Sequence, residues 1–148
     1  MAIINDKEFK AALTALSLSQ QRQVAVQFVR PLLSLCNDVR VKAALDVAAR
    51  ADVSDAELTV VSQAANTARV ESYTQCGKET DWSAQAGHFV AKAAVACVKA
   101  AEPGDNPAWD AAMQVRMART CETVATGEGT EHREAEAQYR ILEAFLNQ

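Results

Sequence analysis

The chain reads as an all-α protein, and three features of its sequence say so. Thirty of its 148 residues are alanine, against 5 glycines and 3 prolines. Alanine is the strongest helix former, because it buries no polar group and has no side-chain entropy to lose. Aromatic residues make up only 5%, and no stretch of four residues is purely β-branched or aromatic, so the material for strands is thin. Helix-start signals also recur along the chain, with glycine and proline turns between them.

Taken in order, Asn5 followed by Glu8 caps a helix over about 6–16, and Ser17 followed by Gln20 forms a capping box for a second over 19–36. Within that second run, Pro31 cannot donate a backbone hydrogen bond and its ring crowds the carbonyl of Gln27. It should therefore kink or interrupt the helix. Asn37 restarts a third helix over 38–51 with almost no linker, which forces a corner between the two. Ser54 and Glu57 make another capping box for 55–76, with Gly77 as the stop. Asp81 caps 82–101, and the EPGDNP loop ends it. Asn106, with Pro107 at the first helical position, opens 107–126. After the GEG turn at 127–129, Thr130 caps a final helix over 131–146.

Apolar residues at helical spacing give the expected core seams. They are Leu58, Val61, Ala65 and Ala68 on the fourth helix, and Trp82, Ala86, Phe89, Ala93 and Cys97 on the fifth. The sixth offers Trp109, Met113, Met117, Cys121 and Val124, and the last Ala135, Tyr139, Leu142 and Leu146. The expected fold is one domain over 1–148, with about seven antiparallel helices in a bundle or a short α-solenoid-like stack. The stack is suggested by an echo 50 residues apart, Lys42-Ala-Ala-Leu against Lys92-Ala-Ala-Val.

A chain of this length buries about 68–70% of its unfolded surface and needs no staple. The cysteines Cys36, Cys76, Cys97 and Cys121 lie 40, 21 and 24 apart. That spacing does not suggest a zinc site, and free buried thiols in a reducing compartment are expected. The start MAIINDKEFK has no secretory pattern, and the apolar run HFVAKAAVACVKAA is broken by Lys92 and Lys99 and too short to span a bilayer. The expectation is a cytoplasmic protein with no membrane association.

Chemistry has little to work with. There are 2 histidines, and no P-loop, dinucleotide glycine pattern or Ser-His-Asp order. His88 beside Gly87 reads as a boundary histidine at a close helix crossing. His132 has Glu128 four residues before it and Glu136 four after, a spacing that can bring metal ligands to one helical face. Glu128, however, falls in the GEG turn. No catalytic, cofactor or metal residue is assigned, and no enzyme is expected.

Charge is more informative. The formal net charge is −4, and residues 122–148 hold six glutamates against Arg133 and Arg140, which accounts for all of it. An acidic field disfavours nucleic acid and steers cationic partners. Glu131 and Glu134 suit the first turn of the last helix, and Glu136 can pair with Arg140. Glu122, Glu128, Glu131 and Glu134, gathered at one helix junction, form the candidate partner-binding epitope.

The run VRPLLSLCNDVRVKAALDVAARADVSDAEL resembles the N-terminal signature of alanine-rich, all-helical immunity proteins from bacterial polymorphic-toxin systems. The matching elements are the apolar segment Val29 to Leu35, Asp38 and Arg40, the alanine-rich Lys42 to Arg50, and the acidic turn Ser54 to Glu57. The later AGHFVAKAAVACVKAA is similar to the family's second alanine-rich block. The resemblance implies a rigid helical scaffold that neutralises a protein toxin by stoichiometric occlusion, without cofactor or chemistry, and the acidic charge makes a basic toxin the expected partner. The corner at Pro31–Asp38 would then shape its docking face. Two other readings stay open: a small helical enzyme or metal- or ligand-binding protein using His88 or His132, and a structural subunit that self-associates through alanine-rich faces.

Overall fold

The computed structural model describes residues 2–75 and 81–148, apart from the side chain of Gln75. Among these residues there are seven α-helices: α1 (Asp6–Thr14), α2 (Leu18–Val29), α3 (Val39–Ala48), α4 (Asp55–Gln75), α5 (Trp82–Val98), α6 (Pro107–Ala125) and α7 (Glu134–Leu146). A 3-10 helix, Arg30–Leu35, joins α2 to α3. No strand occurs among the described residues, and the all-α expectation holds. Cys76 and the stop signal Gly77 lie outside them.

Most caps act as the sequence indicates. Asn5 accepts from the amide of Glu8, and Ser17 and Gln20 satisfy each other's backbone amides. Ser54 and Glu57 exchange amide bonds of 3.3 and 3.2 Å. Asp81 caps α5, and Asn106 caps α6 with Pro107 at its start. Two starts move. Asp38, not Asn37, caps α3, because its carboxylate accepts from the amide of Arg40 at 2.9 Å. The last helix begins at Glu134 after Arg133, which makes no side-chain cap bond, so Thr130 is not its cap. Glu131 therefore stands outside the first turn. Arg140 turns to Glu143 rather than Glu136.

Helix α5 is the axis of the assembly. It is buried on most of its circumference, from Ala86 to Val98, as a helix surrounded by others must be. Its most extensive packing is with α6 and α4, and it also meets α2, α3 and the 3-10 turn. Helix α2 packs on α6 and α7, far along the chain. A solenoid would confine contacts to neighbouring repeats. These long-range contacts make the arrangement a bundle.

The seam between helices is built from small residues. On α6 the buried stripe is Ala108, Ala111, Ala112, Val115, Ala118 and Cys121, with Trp109 and Met113 only half-buried. Three residues expected in the core are instead on the surface: Trp82 is 41% exposed, Met117 47% and Leu146 41%. Alanine lets helix axes approach closely, so the bulky side chains are displaced to the edges of the seam. Trp82 and Leu146 also stand at the first and last positions of their helices, where less covers them.

Polar side chains tie the chain's two ends together. Arg116 forms a two-pronged ion pair with Asp6 at 2.8 and 2.9 Å and donates through Nε to Gln138 at 2.9 Å. The Tyr139 hydroxyl donates to Asp6 at 2.7 Å. Fully buried Gln138 donates to the carbonyl of Ala112 at 2.9 Å, which satisfies a group that would otherwise destabilise the core. Phe9 packs its ring among those of Phe28, Trp109 and Tyr139 just beneath.

Candidate functional site

The corner after α2 is where the fold opens a cavity. Pro31 ends regular α-helix: the amide of Arg30 still bonds to the carbonyl of Val26, but the chain then tightens into the 3-10 turn. The interruption expected at Pro31 is thus a change of helix type. Leu32 turns into the core, and Cys36 leaves the turn in extended geometry. Asp38 then starts α3.

Two devices fix the corner. The first is Gly87 on α5. A Cβ there would lie 2.7 Å from the carbonyl oxygen of Leu35, so only glycine lets α5 approach the turn this closely. The second is an ion network. The Arg40 guanidinium grips its own cap, Asp38, at 3.0 and 2.7 Å and reaches Glu71 on α4 at 2.6 Å. Its hydrogen bonds hold the carboxyls of Asp38 and Glu71 below their usual range. Two carboxylates share one cation, so the network keeps a negative excess.

Between these devices lies a cavity of about 500 Å³, walled by the corner residues 35–40 and by Ser72, Gly87 and His88 among others. His88 is buried in the wall. Its Nδ1 lies at hydrogen-bond distance, 2.9 Å, from the Ser72 hydroxyl, which also donates to the carbonyl of Arg69 at 2.7 Å. Burial first, and the positive charge of Lys92 second, push the His88 pKa below the usual imidazole value. The residue is a neutral strut here. The wall residue Val39 is 81% exposed, and Tyr73, 70% exposed, lies with its ring 5.6 Å from that of His88. Trp82 adjoins the wall residue Ser83.

The acidic junction is less open than its sequence suggests. Glu134 is buried and accepts from Arg119 Nε at 3.0 Å, and Glu122 pairs with the same guanidinium. Arg119 thus neutralises part of the expected epitope internally. Only Glu128 and Glu131 are exposed, with Glu128 also accepting from the Thr126 hydroxyl at 3.1 Å. The role of Arg119 was legible only as an Arg-x-x-Glu spacing within α6.

His132 is held at the same junction. Its Nε2 lies 2.8 Å from the Thr120 hydroxyl, which donates to the carbonyl of Arg116, and its Nδ1 accepts from the amide of Glu134 at 3.3 Å. Both ring nitrogens are engaged in closing the loop before α7. Among the described residues no three His, Cys, Asp or Glu side chains converge as a metal site, so Glu128, His132 and Glu136 are not brought together. Cys36 and Cys97 are free thiols, and burial pushes Cys97 up to about 12. No helix among the described residues is long and apolar enough to cross a membrane.

No protein-family model, curated protein or solved structure matches the chain.

Proposed function

We propose that the chain is a non-catalytic binding module of the immunity type, which neutralises a basic partner toxin by covering it in a stoichiometric complex. The corner face is its docking surface. The observation that carries this reading is the exposure of Val39 and Tyr73 beside a polar cavity whose single arginine is shared by two carboxylates. Large apolar side chains around a shaped pocket are the usual anchors of a protein interface. The negative excess selects a cationic side chain from the partner, and the overall charge of −4 steers it in. Glu128 and Glu131 contribute to that field. Affinity would come from shape and burial, and no bond in the partner need be broken.

The experiment is co-expression with the product of the adjacent gene in a toxicity assay. The intact chain should rescue growth. Val39→Asp and Tyr73→Asp place a charge in the contact without touching the core, and each should abolish rescue while the purified variants unfold at the parental temperature. Full rescue by both variants would remove the corner face from the account. Failure of the intact chain to rescue would remove the immunity reading.

A further inference from the structure

The geometry points to a second binding site, for a small monocarboxylate with an apolar body, in a cavity of about 520 Å³ between the start of α2, the first turns of α4 and the end of α5. It shares no lining residue with the corner cavity and is independent of the immunity reading. Its size falls in the range of about 300–1,000 Å³ typical of small-molecule sites.

The charge in this cavity is Arg22. Arg40, Arg50, Arg116, Arg119 and Arg140 each hold a carboxylate at close range. Arg22 does not: among the described residues it makes no ion pair within 4.0 Å, although the charge of Asp55 reaches it. Its Nε is buried with no hydrogen-bond partner. Burial accordingly pushes the guanidinium pKa below its usual value. Arg22 thus brings to the cavity wall a cation that no carboxylate touches among the described residues. A carboxylate on the ligand would pair with the outer nitrogens of that guanidinium, which offer a matched two-pronged geometry.

The rest of the wall defines the ligand. Leu18, Leu58, Val98 and Ala101 provide apolar surface for a hydrocarbon body. Ser62 and Gln63, at successive positions on α4, add side-chain donors, whereas the Thr59 hydroxyl is spent on the carbonyl of Asp55 at 2.9 Å. The first residues of α2 and α4 line the cavity, so two positive helix ends face it, partly offset by the negative end of α5 at Val98. Asp55 fixes the charge of the ligand. With one cation and one carboxylate in the cavity, a single negative charge on the ligand is tolerated and a dianion is not.

The test is a titration of the full chain, followed by amide NMR, with hexanoate, hexan-1-ol and inorganic phosphate as probes. Hexanoate should give saturable shifts at Arg22, Ser62, Gln63 and Ala101. Hexan-1-ol and phosphate should bind about tenfold more weakly or worse, the value of a charge-assisted pair. Arg22→Met should weaken hexanoate by about the same factor, and Asp55→Asn, which removes the opposing charge, should strengthen it. No saturable shift, equal binding of hexan-1-ol, stronger binding of phosphate, or an unchanged affinity in either variant would overturn the assignment.

Discussion

Replacing Gly87 by alanine sets two physical effects against each other. Gly87 lies inside α5, and in a helix interior alanine is favoured over glycine by about 0.8–1.0 kcal/mol. Propensity alone therefore predicts a more stable protein. The added methyl would lie 2.7 Å from the Leu35 carbonyl oxygen, which is backbone and cannot swing aside as a side chain could. To restore ordinary contact, which begins at 3.4 Å, α5 or the 3-10 turn must retreat by about 0.7 Å. Overpacking of this kind costs about 1–3 kcal/mol. The expected net loss is about 1 kcal/mol, or a fall in Tm of about 2–4 °C for a chain of this size. Gly87→Val, bulkier and β-branched, should lose more. Thermal and urea unfolding of the purified variants read both. If Gly87→Ala melts at or above the parental temperature, α5 does not pack against the turn as described, and the walls of the corner cavity are not where they are placed.

Four further outcomes are expected. The buried neutral His88 has its folded pKa below 6.5, so the unfolded chain takes up a proton that the folded chain refuses. Stability should therefore be full above pH 6.5 and decline below it until the folded pKa is reached, and His88→Gln should flatten that part of a urea-midpoint pH series. Removing Arg119 strands the buried carboxylate of Glu134, so Arg119→Met should cost about 1–3 kcal/mol, and adding Glu134→Gln should recover part of it in a double-mutant cycle. Cys97 should react with a thiol reagent only on unfolding, whereas half-buried Cys36 should label in the native state, slowly because burial raises its pKa, as peptide mass spectrometry would show. Pro31→Ala restores a missing amide, so α-helix should continue past Val29; an unchanged 3-10 turn in a crystal structure of the variant would show that proline does not set the corner.

The helices were legible because their caps are written locally. Ser17 with Gln20 and Ser54 with Glu57 each carry both halves of a capping box within four residues. The core was harder to read. Periodicity favours large apolar residues, so Trp82, Met117 and Leu146 looked like core, yet Met117 is exposed beside the buried Ala118, and Trp82 and Leu146 stand at the ends of their helices. Spacing along one helix cannot say which of two adjacent stripes faces a neighbour when the neighbour is also built of alanine. The glutamates at the last junction misled for a related reason: their count gives the charge, but not that Arg119 on α6 turns back to hold two of them. The corner was visible as Pro31 followed by a cap. Its depth was not, because that depends on Gly87, some fifty residues later and silent in any local pattern.

The most direct measurement is hydrogen exchange on the chain bound to its partner, compared with the free chain. The account predicts slowed exchange at residues 36–40 and at the end of α4 around Tyr73, with the Glu128–Glu131 loop little changed. Protection confined to that loop, or to the exposed faces of α6 and α7, would contradict it.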